Sequence, residues 1–444
     1  MTTLISSARP QPQAHHRVAV TPPMGWNSWD CYGASVTELE VLGNAQYLAE
    51  HLKPFGWEYV VVDIQWYEPE ANSSVYRPFV PLEMDAYSRL MPSTRRFPSA
   101  ADGAGFKPLA DELHRLGLKF GIHIMRGIPR QAVHANTPIL GTNARARDIA
   151  HPNSICPWNT DMYGVDATKE GAQAYYDSLF PLFQLYASWG VDFVKVDDIA
   201  ASRLYHFHPA EIELIRRAID RCGREMVLSL SPGPAPVEHA QFLVDHANMW
   251  RLTDDYWDHW DMLYAMFERC DAWSAYVGSG HWPDCDMLPL GRIGLRSVDG
   301  GGRDRLTRFT PDEQRTMMTL WCLFRSPLMF GGELRDNDEA TLALLTNMDV
   351  LAVHRHGERP RQLCREGDLV VWTSDMPDGQ VNLGLFNLYD RAETIVFPLA
   401  ELGLHGTLHA SDLWVGQPMN VERDVLSVHL EPHASCLVQI SGDP

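Results

Sequence analysis

The sequence has no Cys-x-x-Cys pair, no apolar run long enough to cross a membrane, no His-Glu-x-x-His spacing and a shortage of positive charge. Each absence removes a class of function. The eight cysteines are spread singly along 444 residues, which argues against a zinc ribbon or a thioredoxin-type site. Cys322 and Cys436 sit inside apolar stretches and read as small core residues. Without ~18 consecutive apolar residues, no membrane-spanning helix is expected. Lys and Arg total 37 against 57 Asp and Glu, a net charge of −20. Phosphate backbones and anionic membranes would be repelled, so neither nucleic acid nor a membrane is an expected partner. Residues 1–17 lack the apolar core of a secretory signal, so the expectation is a cytoplasmic protein, or a periplasmic or secreted one if a signal was removed.

What is present is a long alternation of apolar strands and amphipathic helices. Residues 1–20 read as a flexible arm. Strands are expected after Thr21, over Glu58 to Trp66, Leu118 to Met125, Val191 to Asp198, Glu225 to Ser231 and Met249 to Thr253, and near 283–290 and 325–331. Helices are expected between them over 35–53, 105–116, 169–189, 209–222, 237–246, 258–272 and 311–323. Eight such repeats suggest a (β/α)8 TIM barrel over 21–352. An open doubly wound sheet is the alternative, but no Gly-rich phosphate loop follows the first strand. From about 355 the pattern changes to short alternating strands, which reads as a C-terminal antiparallel β-sandwich over 353–444. Two long irregular segments, 67–104 and 126–167, interrupt the alternation, and loops of that length are usually functional.

In a barrel every strand delivers its last residues to one mouth. That gathers Trp29, Asp63, His123, Lys195, Asp197, Ser231, Arg251, Asp254, Asp255, Asp284 and Asp286. Lys195 and Asp197 lie two apart on one strand and so point the same way. So many carboxylates on one rim destabilise one another unless paired, which argues for chemistry rather than stability. One chemistry is glycoside hydrolysis, in which two carboxyls about 5 Å apart act as nucleophile and acid/base. The other is metal-assisted hydrolysis through Asp63, His123, Asp197 and Asp198, and no ligand spacing supports it. No metal or cofactor is therefore expected. The fourteen Trp nudge towards carbohydrate, because indole faces stack on sugar rings as well as filling cores.

Six motifs, in order along nearly the whole chain, resemble glycoside hydrolase family 27, the α-galactosidase and α-N-acetylgalactosaminidase family. They are Met24-Gly25-Trp26-Asn27-Ser28-Trp29, Val62-Asp63-Ile64-Gln65-Trp66, Lys195-Val196-Asp197-Asp198, the stretch Arg251 to Trp260, Gly280 to Leu288, and Phe324 to Arg335. The resemblance implies a barrel plus β-sandwich and a metal-free retaining mechanism. It makes Asp197 the nucleophile and Asp255 the acid/base, with Trp29, Asp63, His123, Lys195, Ser231 and Arg251 at the sugar. The sequence departs from the family at Ile64, which replaces the second acid of an Asp-Asp pair, at Ser231-Pro232-Gly233, at His123 and at Asp198. In the family the Asp-Asp pair holds the O4 and O6 hydroxyls of galactose. The expected activity is exo-hydrolysis of a terminal α-galactoside-like sugar from an oligosaccharide or glycoside. β-L-arabinopyranoside, α-N-acetylgalactosaminide and α-glucoside are the alternatives. A non-catalytic sugar-binding barrel is the competing class, and the two intact carboxylates disfavour it. A homo-oligomer is left open.

Overall fold

Eight short apolar strands lie side by side in a single parallel sheet in the computed structural model, which describes residues 13–73, 75–177, 182–204, 206–297, 302–404 and 407–442. We number them β1 (Met24–Asn27), β2 (Tyr59–Val62), β3 (Lys119–Met125), β4 (Phe193–Asp197), β5 (Val227–Leu230), β6 (Met249–Arg251), β7 (Trp282–Asp284) and β8 (Leu328–Phe330). Their order is β7-β6-β5-β4-β3-β2-β1-β8, so sequence neighbours are sheet neighbours except where β8 pairs with β1. The ring closes just beyond β7, where Leu288 forms a parallel bridge to Phe330 and its N–H donates to the Met329 carbonyl. This is the expected TIM barrel. The strands are buried on both faces, as a sheet wrapped by helices requires. Gly25 is fixed by packing, since a Cβ there would stand 2.3 Å from the Tyr59 carbonyl oxygen.

The helices follow the apolar spacing. Glu38–Tyr47 starts at a Thr37/Glu40 capping box and runs on as a π-turn to Leu52. Pro311–Phe324 starts at a Thr310/Glu313 capping box, with Pro311 at the first position. The helix expected over 169–189 is present as Ala172–Asp177 and Leu182–Trp189, and 178–181 fall outside the described residues. Within 126–167, where no regular structure is expected, the strands Ile128–Pro129, Ala150–Ile155 and Met162–Val165 form a small antiparallel sheet. Of the arm expected over 1–20, residues 1–12 lie outside the described residues. Residues 14–17 form a 3-10 turn anchored beneath the barrel, where His16 Nε2 meets the Val244 carbonyl at 2.8 Å and Asn248 donates to the His15 carbonyl at 3.1 Å.

The C-terminal region is the expected antiparallel sandwich. One sheet has six strands, in the order 358–366, 369–375, 381–387, 435–442, 408–412 and 417–419. The other has three, in the order 393–398, 425–430 and 421–422. It packs against Trp260–Trp273 and Pro311–Phe324. The His433 ring stacks on Trp260 at 3.6 Å and meets Glu313 at 2.8 Å, and Trp414 Nε1 donates to Thr319 Oγ1 at 2.9 Å.

Candidate active site

At the carboxyl ends of the strands the barrel opens into a cavity of about 320 Å³. Its inner surface is formed by Trp29, Asp63, Ile64, Lys195, Asp197 and Asp255. Asp63 follows β2 and is 2% exposed. It accepts from Lys195 Nζ at 3.0 Å, from Asn27 Nδ2 at 2.8 Å and from the Ile64 N–H at 2.8 Å. Burial alone would raise its pKa, but Lys195 and these hydrogen bonds hold it well below the ordinary carboxylate range. Desolvation lowers the pKa of a lysine, yet Asp63 and Asp197 together keep the Lys195 ammonium above its usual value. Lys195 therefore stays charged between two carboxylates.

Asp197 ends β4. Its Oδ2 meets His123 Nε2 at 3.0 Å, and its Oδ1 accepts the Asp198 N–H at 2.7 Å. Burial again pushes upward, but the His123 bond, Lys195 and the Asp198 N–H outweigh it, so Asp197 titrates below the ordinary range. The Asp198 N–H reaches it because Asp198 sits in the left-handed region at φ 56°. Arg126 holds that conformation. Its backbone N–H donates to the Asp197 carbonyl at 3.1 Å, its Nε donates to the Asp198 carbonyl at 2.6 Å, and its Nη2 stands 3.0 Å from Asp198 Oδ2. Arg126 Nη1 also reaches Glu211 at 3.0 Å, which makes a buried three-residue network behind Asp197. Asp198, a member of the alternative metal set, is thus turned into an ion pair. Among the described residues no group of three or more His, Cys, Asp or Glu side chains is arranged to hold a metal.

Asp255 lies just past β6. Arg251 Nη2 donates to its Oδ1 at 3.1 Å and stands 2.9 Å from Asp286 Oδ2. Asp286, at φ 78°, also accepts the Tyr256 N–H at 2.7 Å. Asp255 is pushed up to about 6, first by the desolvation its surroundings impose and next by Asp286, against the pull of Arg251. Its carboxyl faces the open cavity with 45% side-chain exposure, so a bound ligand would add to that rise. Burial and then Asp286 push Asp284 up to about 7. Asp197 and Asp255 thus sit in opposed environments, the first held ionised and the second keeping its proton up to about pH 6.

Three residues expected at the sugar are set back from the cavity wall. His123 is fully buried behind Asp197, and Arg251 lies beneath Asp255 and Asp286. Ser231 is 1% exposed; its carbonyl accepts the Ile199 N–H, and Pro232, the next residue, reaches the wall instead. Conversely, the wall includes Tyr76, Trp158 and Arg203, which sequence reasoning did not single out, and Asp254, one of the residues expected at the mouth. Tyr76 and Trp158 come from the two long segments, whose length was the available signal.

Comparison with known proteins agrees with this geometry. The profile of the family described as α-galactosidase A matches residues 163–356, and that of the α-galactosidase C-terminal β-sandwich domain matches 366–440. The crystal structure of a family GH27 β-L-arabinopyranosidase from Geobacillus stearothermophilus is 68% identical, covers 97% of this chain and 98% of its own, and superposes with a TM-score of 0.95. A candidate α-N-acetylgalactosaminidase from Bacillus halodurans is 60% identical over 95% of this chain and 97% of its own, with a TM-score of 0.86. α-Galactosidase 2 of Arabidopsis thaliana is 26% identical over 94% of this chain and 88% of its own length. Identity at the level of the Geobacillus enzyme, spread over nearly all of both chains, makes this protein a member of glycoside hydrolase family 27, a glycosidase that hydrolyses O-glycosyl bonds.

Proposed function

We propose that this protein is a retaining, exo-acting β-L-arabinopyranosidase. The observation that carries the sugar is Ile64. It is 2% exposed, lines the cavity, and directly follows the hydroxyl-binding candidate Asp63. An apolar side chain there neither donates nor accepts, so a hydroxyl placed against it would go unpaired at a cost of about 1–3 kcal/mol. β-L-Arabinopyranose has the ring stereochemistry of α-D-galactopyranose without the exocyclic hydroxymethyl, and so presents no such hydroxyl. The Geobacillus relative acts on that sugar by name. The α-galactoside anticipated from the motifs has support in relatives of 23–27% identity. Ser231, where a 2-acetamido group would need room, is 1% exposed and set behind the wall, which disfavours the α-N-acetylgalactosaminide alternative.

In the proposed mechanism the Asp197 carboxylate attacks C1 while Asp255 gives its proton to the leaving oxygen. The C1–O bond breaks and a glycosyl ester on Asp197 forms. Water then attacks C1 and passes a proton to Asp255, the ester bond breaks, and the sugar leaves with its original anomeric configuration. Lys195 and Asp63 hold hydroxyls, Trp29 lies against the ring, and His123 and Arg251 orient the two carboxylates. A panel of nitrophenyl β-L-arabinopyranoside, α-galactoside, α-N-acetylgalactosaminide and α-glucoside tests the sugar. The arabinoside should show the highest kcat/KM, and Asp197→Asn should abolish turnover of all that the parent accepts. A parent faster on the galactoside overturns the sugar, and an active Asp197→Asn overturns the nucleophile.

A further inference from the structure

The long segments 67–104 and 126–167 also meet away from the catalytic carboxylates. Between them lies a groove of about 680 Å³, a size at which small-molecule sites are found. Trp158 lines the active-site cavity, whereas Thr160 and Asp161 line the groove, so the chain at 158–161 divides the two. Gln131 ties the segments together through both backbone groups of Leu82. Its Oε1 accepts the Leu82 N–H at 2.9 Å, and its Nε2 donates to the Leu82 carbonyl at 3.0 Å.

Charge in this groove runs against that of the chain. The protein carries a net −20, yet the groove wall holds Arg130 and Arg147 against a single acid, Asp161. Asp161 is 4% exposed, and its carboxylate accepts from the buried Gln65 Nε2 at 2.9 Å and Tyr67 hydroxyl at 3.0 Å. It is therefore turned to the core rather than to the arginines. Arg130 makes one long side-chain hydrogen bond, from Nη1 to the Thr160 carbonyl at 3.4 Å, and no ion pair among the described residues. Its guanidinium lies over the rings of Phe79 at 4.3 Å and Tyr163 at 4.9 Å. An arginine stacked on rings and lacking a carboxylate keeps its edge donors for a ligand.

Phe79 points the same way. It is 70% exposed and sits in the left-handed region at φ 58°, a costly conformation for a bulky residue. Its N–H donates to Thr160 Oγ1 at 2.8 Å, which holds it there. Burial does not offset that cost, because most of the ring stands in solvent. Strained residues of this kind gather at ligand clamps.

We infer that this groove is a binding site, separate from the active site, for a small monocarboxylate with an apolar body. The carboxylate pairs with the planar edge of Arg130, whose fork matches two oxygens. The apolar body lies against Phe79, Val80, Leu82, Val133 and Pro152. This lining, with no lysine and only two arginines, disfavours a polyanion. The site depends on neither the sugar assignment nor the catalytic pair.

Isothermal titration calorimetry of the full chain with 4-phenylbutyrate tests it. One acid should bind per chain with a Kd below about 1 mM, and the neutral 4-phenylbutanamide should bind at least about tenfold more weakly. Arg130→Met should weaken the acid by about tenfold or more. Phe79→Gly removes an exposed ring and relieves the left-handed backbone, so it should weaken the acid by about fivefold while leaving the urea midpoint no lower. Both variants should still hydrolyse the nitrophenyl glycoside that the parent accepts. If Arg130→Met does not fold, Phe79→Gly decides. Absence of binding, equal affinity for the amide, or affinity unchanged in Phe79→Gly overturns the site. So does tighter binding to Asp197→Asn, which would place the acid beside Lys195 in the active-site cavity.

Discussion

Replacing Ile64 by Asp should turn the enzyme towards α-galactosides. The backbone at 64 is already fixed, since its N–H donates to Asp63 Oδ1 at 2.8 Å. The shorter Asp side chain therefore makes room for a hydroxymethyl and offers it an acceptor. A hydrogen bond to a charged group contributes about 1.5–3 kcal/mol, roughly tenfold to 150-fold in kcat/KM. The arabinoside gains nothing and loses the apolar contact, so the galactoside-to-arabinoside ratio of kcat/KM should rise by at least about tenfold. The substitution has a structural cost. Position 64 is buried and adjoins Asp63, so the new carboxyl is pushed up by desolvation and by like charge, and the urea midpoint should fall by the equivalent of about 2 kcal/mol or more. Ile64→Ala is the control, because it makes room without an acceptor. If Ala raises the ratio as far as Asp does, the hydrogen-bond argument is refuted. If neither variant moves it, residue 64 does not face the C5 substituent.

The remaining expectations concern the catalytic pair and its support. The acid/base must be protonated, so kcat/KM on the arabinoside should fall as pH rises through about 6, the position of Asp255, and persist on the acid side because Asp197 titrates below the ordinary range. Asp286→Asn removes a like charge that lifts Asp255, so the basic limb should move to lower pH; a limb that stays or moves up refutes that cause. Arg126→Met leaves Asp198 and Glu211 buried without their cation, with side chains only 1% and 6% exposed, and should destabilise by roughly 3–5 kcal/mol in urea unfolding. Asp198 already sits at about 6 through burial and Asp197, and losing Arg126 raises it further. The loss should therefore be smaller at about pH 5, where Asp198 is protonated, than at about pH 8, and a pH-independent loss would show that packing rather than charge is responsible.

How far the site was legible in the sequence follows from how far each determinant acts along the chain. Strand alternation is local, so Lys195 and Asp197 could be placed on one face, and barrel topology then brought Asp63 and Asp255 to the same mouth. Depth is not local. His123 is sealed behind Asp197 because β3 pairs with β4, Met125 opposite Asp197, and Ser231 is covered by its own neighbour Pro232. Asp198 resisted explanation because its partner, Arg126, is separated from it by a whole helical repeat, and its left-handed φ has no signature in an Asp-Asp pair. Tyr76 and Trp158 lie in segments with no periodicity, so their meeting over Trp29 is a product of tertiary packing alone. The division has a chemical consequence. In the proposed mechanism residues fixed by strand ends carry bond cleavage, whereas Tyr76 and Trp158, fixed by the long loops, border the rest of the cavity. Changes in 67–104 and 126–167 can therefore alter what is cleaved from the sugar without disturbing how. Under the proposed activity Asp63 and Lys195 hold hydroxyls that both sugars share, whereas Ile64 is the strand-end residue that would tell them apart, and for that reason it is the position at which substrate choice could be read from sequence.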